Sequence, residues 1–220
     1  MRDPQVLLAG LGVVALFDII VDAAGDTVEV SANNLQKLRI TAIIGDDSIT
    51  TEPTKNIVTV GARALLDHLG VKQGFDFKIT KGVAAGSGMG SSGCSATAGV
   101  FAINEILGAR LSKEELLPYA AVGEQLASGQ VHYDNIGPSM LGGLNVVRSI
   151  QPLEVLKLET PANLFLVLAR PNVVIKTDEA KKLIPPELEL KTAIRQFGQI
   201  AGLVNGALTN DIALLGRSEG

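Results

Sequence analysis

Apolar and polar positions alternate in separate short segments of the N-terminal half of the chain. Residues 28–30, 38–44 and 75–79 carry apolar side chains at intervals of two. This period places one face of a strand against a core and the other face in solvent. We therefore predict a strand in each segment, and the alternation in 75–79 favours an antiparallel sheet.

A helical period follows elsewhere, and glycines or capping residues mark several of its limits. Ser112 and Glu115 form a capping box, which predicts a helix start at about Lys113. Gly123 falls inside that helix, so a packing or site requirement must explain it. The patterns predict helices at 56–69, 91–107, 113–126, 177–183 and 190–203, and further strands at 141–147 and 164–168. Pro152 lies between the last two strands and indicates a domain boundary.

An apolar run extends from Val6 to Phe17, after Arg2. A signal peptide is one interpretation of it. The run is too short to span a bilayer, which needs about 20 residues, and Asp18 follows at once. We interpret it as a buried strand and turn.

Composition excludes several classes of protein. Hydrophobic residues make up 46% of the 220 residues and charged residues 19%, which excludes intrinsic disorder. The net charge of −4 argues against general binding to nucleic acid or to an anionic membrane. The single cysteine, Cys94, cannot form an internal disulfide, so a cytoplasmic protein is expected, and we interpret Cys94 as a packing residue.

Glycine and serine are concentrated just before the helix predicted at 91–107, in Gly86-Ser-Gly-Met-Gly-Ser-Ser-Gly93. A helix start offers unpaired backbone N–H groups and the positive end of the helix dipole, which favour a phosphate group. A dinucleotide-binding fold would need a continuous apolar strand before this loop and an acidic residue about 20 positions later. A P-loop would need a lysine after the last glycine, where Ser91-Ser92 stands. Neither motif is therefore favoured, and a plain flexible loop remains the simplest alternative to a phosphate-binding loop.

This loop resembles the phosphate-binding loop of the GHMP small-molecule kinases, and other short motifs follow in that family's order. The His-x-Asp-Asn element after Gly-Glu points to the branch that phosphorylates L-homoserine. The matching motifs are Phe17-Asp18, Gly25-Asp-Thr-Val-Glu29, Lys55-Asn56, the loop itself, Gly123-Glu124, His132-Tyr-Asp-Asn135, Gly142-Gly143, Thr177 and Arg195-Gln196.

The resemblance implies an α+β GHMP kinase fold in two parts. Residues 1–150 would form the ATP-binding domain, which is ribosomal protein S5-like. Residues 151–220 would form an incomplete ferredoxin-like domain, because the family's third glycine-rich motif is expected beyond Gly220. An incomplete sheet leaves an unpaired edge, which favours self-association as a homodimer.

The resemblance also implies ATP as phosphoryl donor, with Mg²⁺. Ser92 and Glu124 would hold the metal, a sparse set of oxygen ligands that suits Mg²⁺. Lys55 and Asn56 would lie at the adenine end, and Asn56 can also cap a helix. The residues around the phosphates would be Gly86, Ser87, Gly88, Met89, Gly90, Ser91 and Ser92.

The implied acceptor is the hydroxyl of L-homoserine, on the route to threonine. Asn135 would orient this hydroxyl, since phosphoryl transfer depends mainly on positioning and charge neutralisation. Asp18 would pair with the substrate ammonium group. Lys181 would bind the carboxylate, without the bidentate geometry of an arginine. The expected substrate residues are Asp18, His132, Asp134, Asn135, Thr177 and Lys181.

Alternatives within and outside catalysis stay open at this point. A family asparagine expected near the N-terminus falls on Gly12. One alternative is a GHMP kinase for another small alcohol, such as mevalonate. Another is an inactive or weakly active protein that binds Mg-ATP without turnover.

Overall fold

The structure, a computed structural model, describes residues 17–19, 25–83, 89–129, 131–162, 164, 185 and 187–218. Several predictions fall outside these residues. They are the strand and turn at 6–17 except its last residue, nearly all of the strand at 164–168, the helix at 177–183, and the side chain of Asp18.

One sheet contains the segments with the clearest alternation. Strands β2 (Thr27–Asn33), β3 (Leu38–Ile44) and β4 (Gly74–Thr80) lie in the order β2-β4-β3. The central strand β4 is antiparallel to β2 but parallel to β3, so the prediction of an antiparallel sheet is wrong for one of its two pairings. The reason is the helix between β3 and β4, which returns the chain to the same end of the sheet.

Helices pack on this sheet and bury its apolar residues. They are α1 (Ile57–His68), α2 (Ser91–Leu107), α3 (Lys113–Ser128) and α4 (Tyr133–Leu141). Phe75, Phe77 and Ile79 from the central strand join residues of all of these helices in one core. The alternating pattern therefore has a direct physical origin, because every second residue of β4 enters this core.

Glycines allow the helices to approach closely. A Cβ atom at Gly123 of α3 would lie 2.4 Å from the carbonyl oxygen of Ile57. At Gly99 of α2 it would lie 2.6 Å from the carbonyl oxygen of Val58. Both distances are too short for any side chain, so of the packing or site requirement predicted for Gly123, the structure shows the packing one.

A second sheet has the order β1-β5-β6, with β1 at Phe17–Ile19, β5 at Leu144–Ile150 and β6 at Leu153–Leu158. The prediction of a strand from 141 is wrong at its start, because Leu141 ends α4 and the strand begins at Leu144. Strand β6 was not predicted. Pro152 lies in the hairpin turn between β5 and β6, with a cis bond to Gln151. The division at residue 150 stays a prediction, and the two strands pair across it.

The remaining described helices are α5 (Leu190–Thr209) and α6 (Ile212–Arg217). Helix α5 was predicted to end at residue 203, and it continues to Thr209. Ala207 and Leu215 pack with Leu144 and Leu158 in a second, smaller apolar cluster. In the part of the chain that the structure describes, no helix is both long and apolar enough to cross a membrane.

Candidate active site

The glycine-rich loop leads directly into the N-terminus of α2. Gly90 precedes the helix in the left-handed conformation, with φ of 64°, and provides no capping side chain. The first backbone N–H groups of α2 therefore depend on another acceptor, and the helix dipole adds partial positive charge. Both effects favour a phosphate group at this point. Gly86, Ser87 and Gly88 lie outside the described residues.

A buried carboxylate lies beside this helix start. Glu124 of α3 is 1% exposed, and its Oε1 accepts a hydrogen bond of 3.0 Å from the hydroxyl of Ser92. The Nδ1 atom of His132, the N-cap residue of α4, lies 3.3 Å from the same oxygen. Three residues from separate motifs thus converge, although 32 positions separate Ser92 from Glu124 in sequence.

This donor set suits a magnesium ion. A carboxylate and a neighbouring hydroxyl are hard oxygen ligands, and Mg²⁺ usually takes one or two carboxylates together with phosphate oxygens and waters. The described residues contain no group of three or more His, Cys, Asp or Glu residues that could hold a metal alone. The carboxylate of Glu124 and the hydroxyl of Ser92 would leave the other positions of such an ion to phosphate oxygens and waters.

Asn135 lies against the start of α2. A Cβ atom at Gly90 would lie 2.9 Å from Asn135 Oδ1, and one at Gly93 would lie 3.1 Å from Asn135 Cβ. Glycine at both positions is what allows α4 to come this close. The amide group of Asn135 consequently lies next to the predicted phosphate site.

The rest of the first turn of α4 is partly buried. Asp134, a predicted substrate residue, lies in this turn and is partly exposed. Burial raises the pKa of the neighbouring Tyr133 phenol above its ordinary value. Tyr133 is therefore neutral at physiological pH and available as a hydrogen-bond donor.

The two serines after Gly90 have different contacts. Ser91 is buried, and its hydroxyl donates a hydrogen bond of 2.8 Å to the carbonyl oxygen of Val83. Only the Ser92 hydroxyl turns toward Glu124. The sequence motif names both serines without distinguishing these contacts. Met89 lies just before Gly90, at the edge of the described residues.

Asn56 and Lys55 precede α1. Asn56 is 2% exposed, and its Oδ1 accepts a hydrogen bond of 3.0 Å from the Val58 N–H, which confirms the helix-cap interpretation. Its Nδ2 donates to the carbonyl oxygen of Thr50 at 2.8 Å. Lys55 is exposed and lies 2.8 Å from Glu52. The close approach of Ile57 to Gly123 brings this helix start near Glu124.

The sequence alone assigns no role to a buried ion pair at the end of β4. Lys81 pairs with Asp26, and their side chains are 3% and 0% exposed. The sequence indicates a role for Asp26 only in that this residue belongs to one of the matched motifs. Periodicity cannot reveal a contact between residues 55 positions apart.

Comparisons with known proteins identify the family. The profile of the GHMP kinases N terminal domain matches residues 56–143. A homoserine kinase from Chloroherpeton thalassium is 36% identical over 225 residues, covering 96% of this chain and 70% of the relative. The chain belongs to the homoserine kinase family. The family resemblance and the α+β fold class predicted from the sequence are thereby confirmed.

Solved structures extend the comparison. The crystal structure of homoserine kinase from Cytophaga hutchinsonii has a TM-score of 0.88 and 38% identity, covering 98% of this chain and 69% of its own. The crystal structure of L. major mevalonate kinase, at 16% identity and a TM-score of 0.63, shares the fold. The match to a homoserine kinase from Chlorobium phaeobacteroides covers 58% of the length of that relative.

Proposed function

We propose that this protein transfers the γ-phosphoryl group of ATP to the hydroxyl of L-homoserine. The oxygen of that hydroxyl forms the new bond to phosphorus, and the bond from phosphorus to the β-phosphate oxygen breaks. The products are O-phospho-L-homoserine and ADP, and the hydroxyl proton passes to solvent. Such a product lies on the route to threonine.

The observation that carries this proposal is the convergence of Ser92, Glu124 and Asn135 at the start of α2. Positioning and charge neutralisation supply most of the catalysis in phosphoryl transfer. The N–H groups of α2 bind the phosphates, and the adjacent carboxylate and hydroxyl hold the metal. Family membership supplies ATP as co-substrate and homoserine as the preferred acceptor.

Ser92 and Glu124 would hold Mg²⁺ through their hydroxyl and carboxylate oxygens. When bound, the ion neutralises charge on the β- and γ-phosphates. His132 contacts the same carboxylate oxygen as Ser92, so it helps to fix the orientation of Glu124. Asn135 orients the attacking hydroxyl, because its amide lies beside Gly90.

The remaining substrate contacts are carried over from the family pattern. Asp18 binds the ammonium group of homoserine, and its backbone pairs with that of Asn145 in the second sheet. Thr177 and Lys181 contact the substrate from the C-terminal part, with the carboxylate at Lys181. Lys55 and Asn56 border the adenine. A cytoplasmic location and a homodimer stay predictions.

The metal assignment is tested by changing Glu124→Gln, which keeps the shape of the side chain and removes its charge. We expect Mg²⁺-dependent ATP binding to weaken by roughly 10- to 100-fold, as for loss of a residue that holds or orients a metal. Isothermal titration with ATP at several Mg²⁺ concentrations measures this effect.

Glu114→Gln is the matched control, since Glu114 is an exposed residue of the same helix. It should leave the Mg²⁺ dependence unchanged. If the Glu124→Gln protein binds ATP with the same Mg²⁺ dependence as the parent chain, the metal assignment is wrong.

A further inference from the structure

A buried polar cluster contacts the described residues on either side of 84–88 and includes none of the residues assigned to the active site. We name Asp26, Lys81 and Ser95 the loop clamp. Oδ2 of Asp26 accepts from both Lys81 Nζ and the Ser95 hydroxyl. Lys81 Nζ also lies 2.7 Å from the Ser95 hydroxyl oxygen. Each member of the clamp thus contacts the other two.

The clamp bonds to the chain on both sides of the loop. Oδ1 of Asp26 accepts hydrogen bonds from the backbone N–H groups of Gly82 and Val83, at 3.0 and 3.2 Å. These residues precede the loop. On the far side, Lys81 Nζ donates to the carbonyl oxygen of Ser91 at 3.3 Å, in the first turn of α2.

Close backbone packing reinforces these bonds. A Cβ atom at Gly82 would lie 2.1 Å from the carbonyl oxygen of Gly25, which immediately precedes Asp26. Only glycine permits this approach. The backbone at residues 25 and 26 therefore lies directly against the point where the chain leaves β4 for the loop.

Because it is buried, Lys81 differs from a lysine that binds a phosphate group. The Lys81 side chain is 3% exposed and forms an ion pair with a carboxylate that is completely buried. An ammonium group held in this way is already neutralised, so it offers little attraction to a phosphate. Its contacts instead determine where the two ends of the loop lie.

We propose that Asp26, Lys81 and Ser95 are positioning residues that hold both ends of the phosphate-binding loop for ATP. This inference rests on the proposed function for the identity of the nucleotide. The clamp acts through its hydrogen bonds to Gly82, Val83 and Ser91. None of the hydrogen bonds described for it reaches Ser92, Glu124 or Asn135. Its loss should therefore affect ATP more than the acceptor.

Two variants of the full chain test the clamp. Ser95→Ala removes the hydroxyl that joins Asp26 and Lys81. The double variant Asp26→Asn with Lys81→Met removes both charges together, because a single change would leave one charge buried without its partner. The matched control is Lys78→Met, which removes an exposed 2.6 Å ion pair with Glu29 between β4 and β2, the strands that Lys81 follows and Asp26 precedes.

We expect both clamp variants to raise the Kd of Mg-ATP by about tenfold, as hydrogen bonds to charged groups are lost. The KM for homoserine should stay unchanged. Amide hydrogen exchange at residues 82–91, measured without nucleotide, should become faster in both variants and not in the control. A folded double variant with the parent's Mg-ATP affinity and exchange rates would overturn the inference.

The readouts separate this inference from the proposed function. Nucleotide affinity and hydrogen exchange do not require turnover. A parent chain that binds Mg-ATP but leaves homoserine unmodified contradicts the proposed function, while a difference in affinity between the clamp variants and Lys78→Met still supports the clamp. A parallel rise in the KM values of ATP and homoserine would indicate general loosening of the structure and overturn it.

Discussion

Gly123 shows how the absence of a side chain positions the neighbouring carboxylate of Glu124. Its Cα atom lies so close to α1 that a Cβ would meet the Ile57 carbonyl oxygen at 2.4 Å. The next residue is Glu124, whose carboxylate meets Ser92. The packing of α1 against α3 and the placement of the proposed metal ligand therefore depend on the same glycine.

We expect Gly123→Ala to lower the free energy of unfolding by about 1–3 kcal/mol, because backbone must move to admit the methyl group. Urea unfolding followed by circular dichroism measures the change. Gly198→Ala in α5 is the control, since a Cβ there would meet no atom within 4 Å. That variant should be more stable by up to about 1 kcal/mol, owing to the higher helix propensity of alanine. Equal stability of the Gly123→Ala protein and the parent would contradict the packing argument.

Individual site residues could be predicted from the sequence only where a motif names them. Ser92, Glu124 and His132 came from the family pattern, and the structure brings them together. The contacts of Ser91 and Lys81 could not be predicted, because each joins segments whose separation in space no local pattern specifies.

The start of α3 is the element whose chemistry the sequence specified most completely. The Ser112 hydroxyl accepts from the Glu115 N–H at 3.2 Å, and the Glu115 carboxylate accepts from the Ser112 N–H at 2.8 Å. The backbone N–H of Ser112, followed by its hydroxyl, holds the pKa of the Glu115 carboxyl below its ordinary value. A capping box is readable from sequence because all of its partners lie within one turn.

This pKa shift gives a pH dependence of stability with a definite sign. A carboxyl with a lowered pKa in the folded state stabilises the protein above its unfolded pKa, about 4.3 for glutamate. That stabilisation is lost as the pH falls through the lower, folded value. Glu115→Gln removes the titration while keeping an acceptor, so its unfolding midpoint in urea should fall less steeply than the parent's below about pH 4.3.

Glu114→Gln provides the comparison, because it removes a neighbouring negative charge and leaves the capping box intact. Midpoints measured between neutral and acidic pH show whether the slope depends on Glu115. Identical pH profiles for the parent and the Glu115→Gln protein would exclude the capping contribution.

Helix α4 and strand β6 are the elements that the sequence pattern did not predict. Pro138 lies inside α4, and a proline usually indicates the end of a helix. The apolar run after it resembles a strand from residue 141, yet the chain stays helical to Leu141 before β5 begins. Pro152 forms part of a tight hairpin turn, and the domain boundary predicted there stays a prediction.

For the whole molecule, the order of motifs was more informative than any single element. The motifs extend from β1 to α5, so a match in their order tests the arrangement of most of the chain at once. The parallel pairing of β3 with β4 was the feature of the whole fold that local alternation could not predict. Pairing direction depends on the route of the connecting chain, which includes α1.

Acceptor identity is the central claim at this scale. Mevalonate kinase shares the fold at 16% identity, so the fold does not determine the acceptor. The preference for homoserine rests on family membership and on His132, Asp134 and Asn135 at the start of α4. Of these, Asn135 lies against Gly90 and Gly93 at the start of α2, next to the proposed phosphate site.

The most direct test is ADP release from Mg-ATP by the purified chain, with L-homoserine, with mevalonate and without an acceptor. A double variant, Ser92→Ala with Glu124→Gln, serves as the control. We predict homoserine-dependent release that the variant lacks, with the product identified as O-phospho-L-homoserine by ³¹P NMR. Folded protein that binds Mg-ATP but shows no homoserine-dependent release would contradict the proposed function and favour a non-catalytic nucleotide-binding protein.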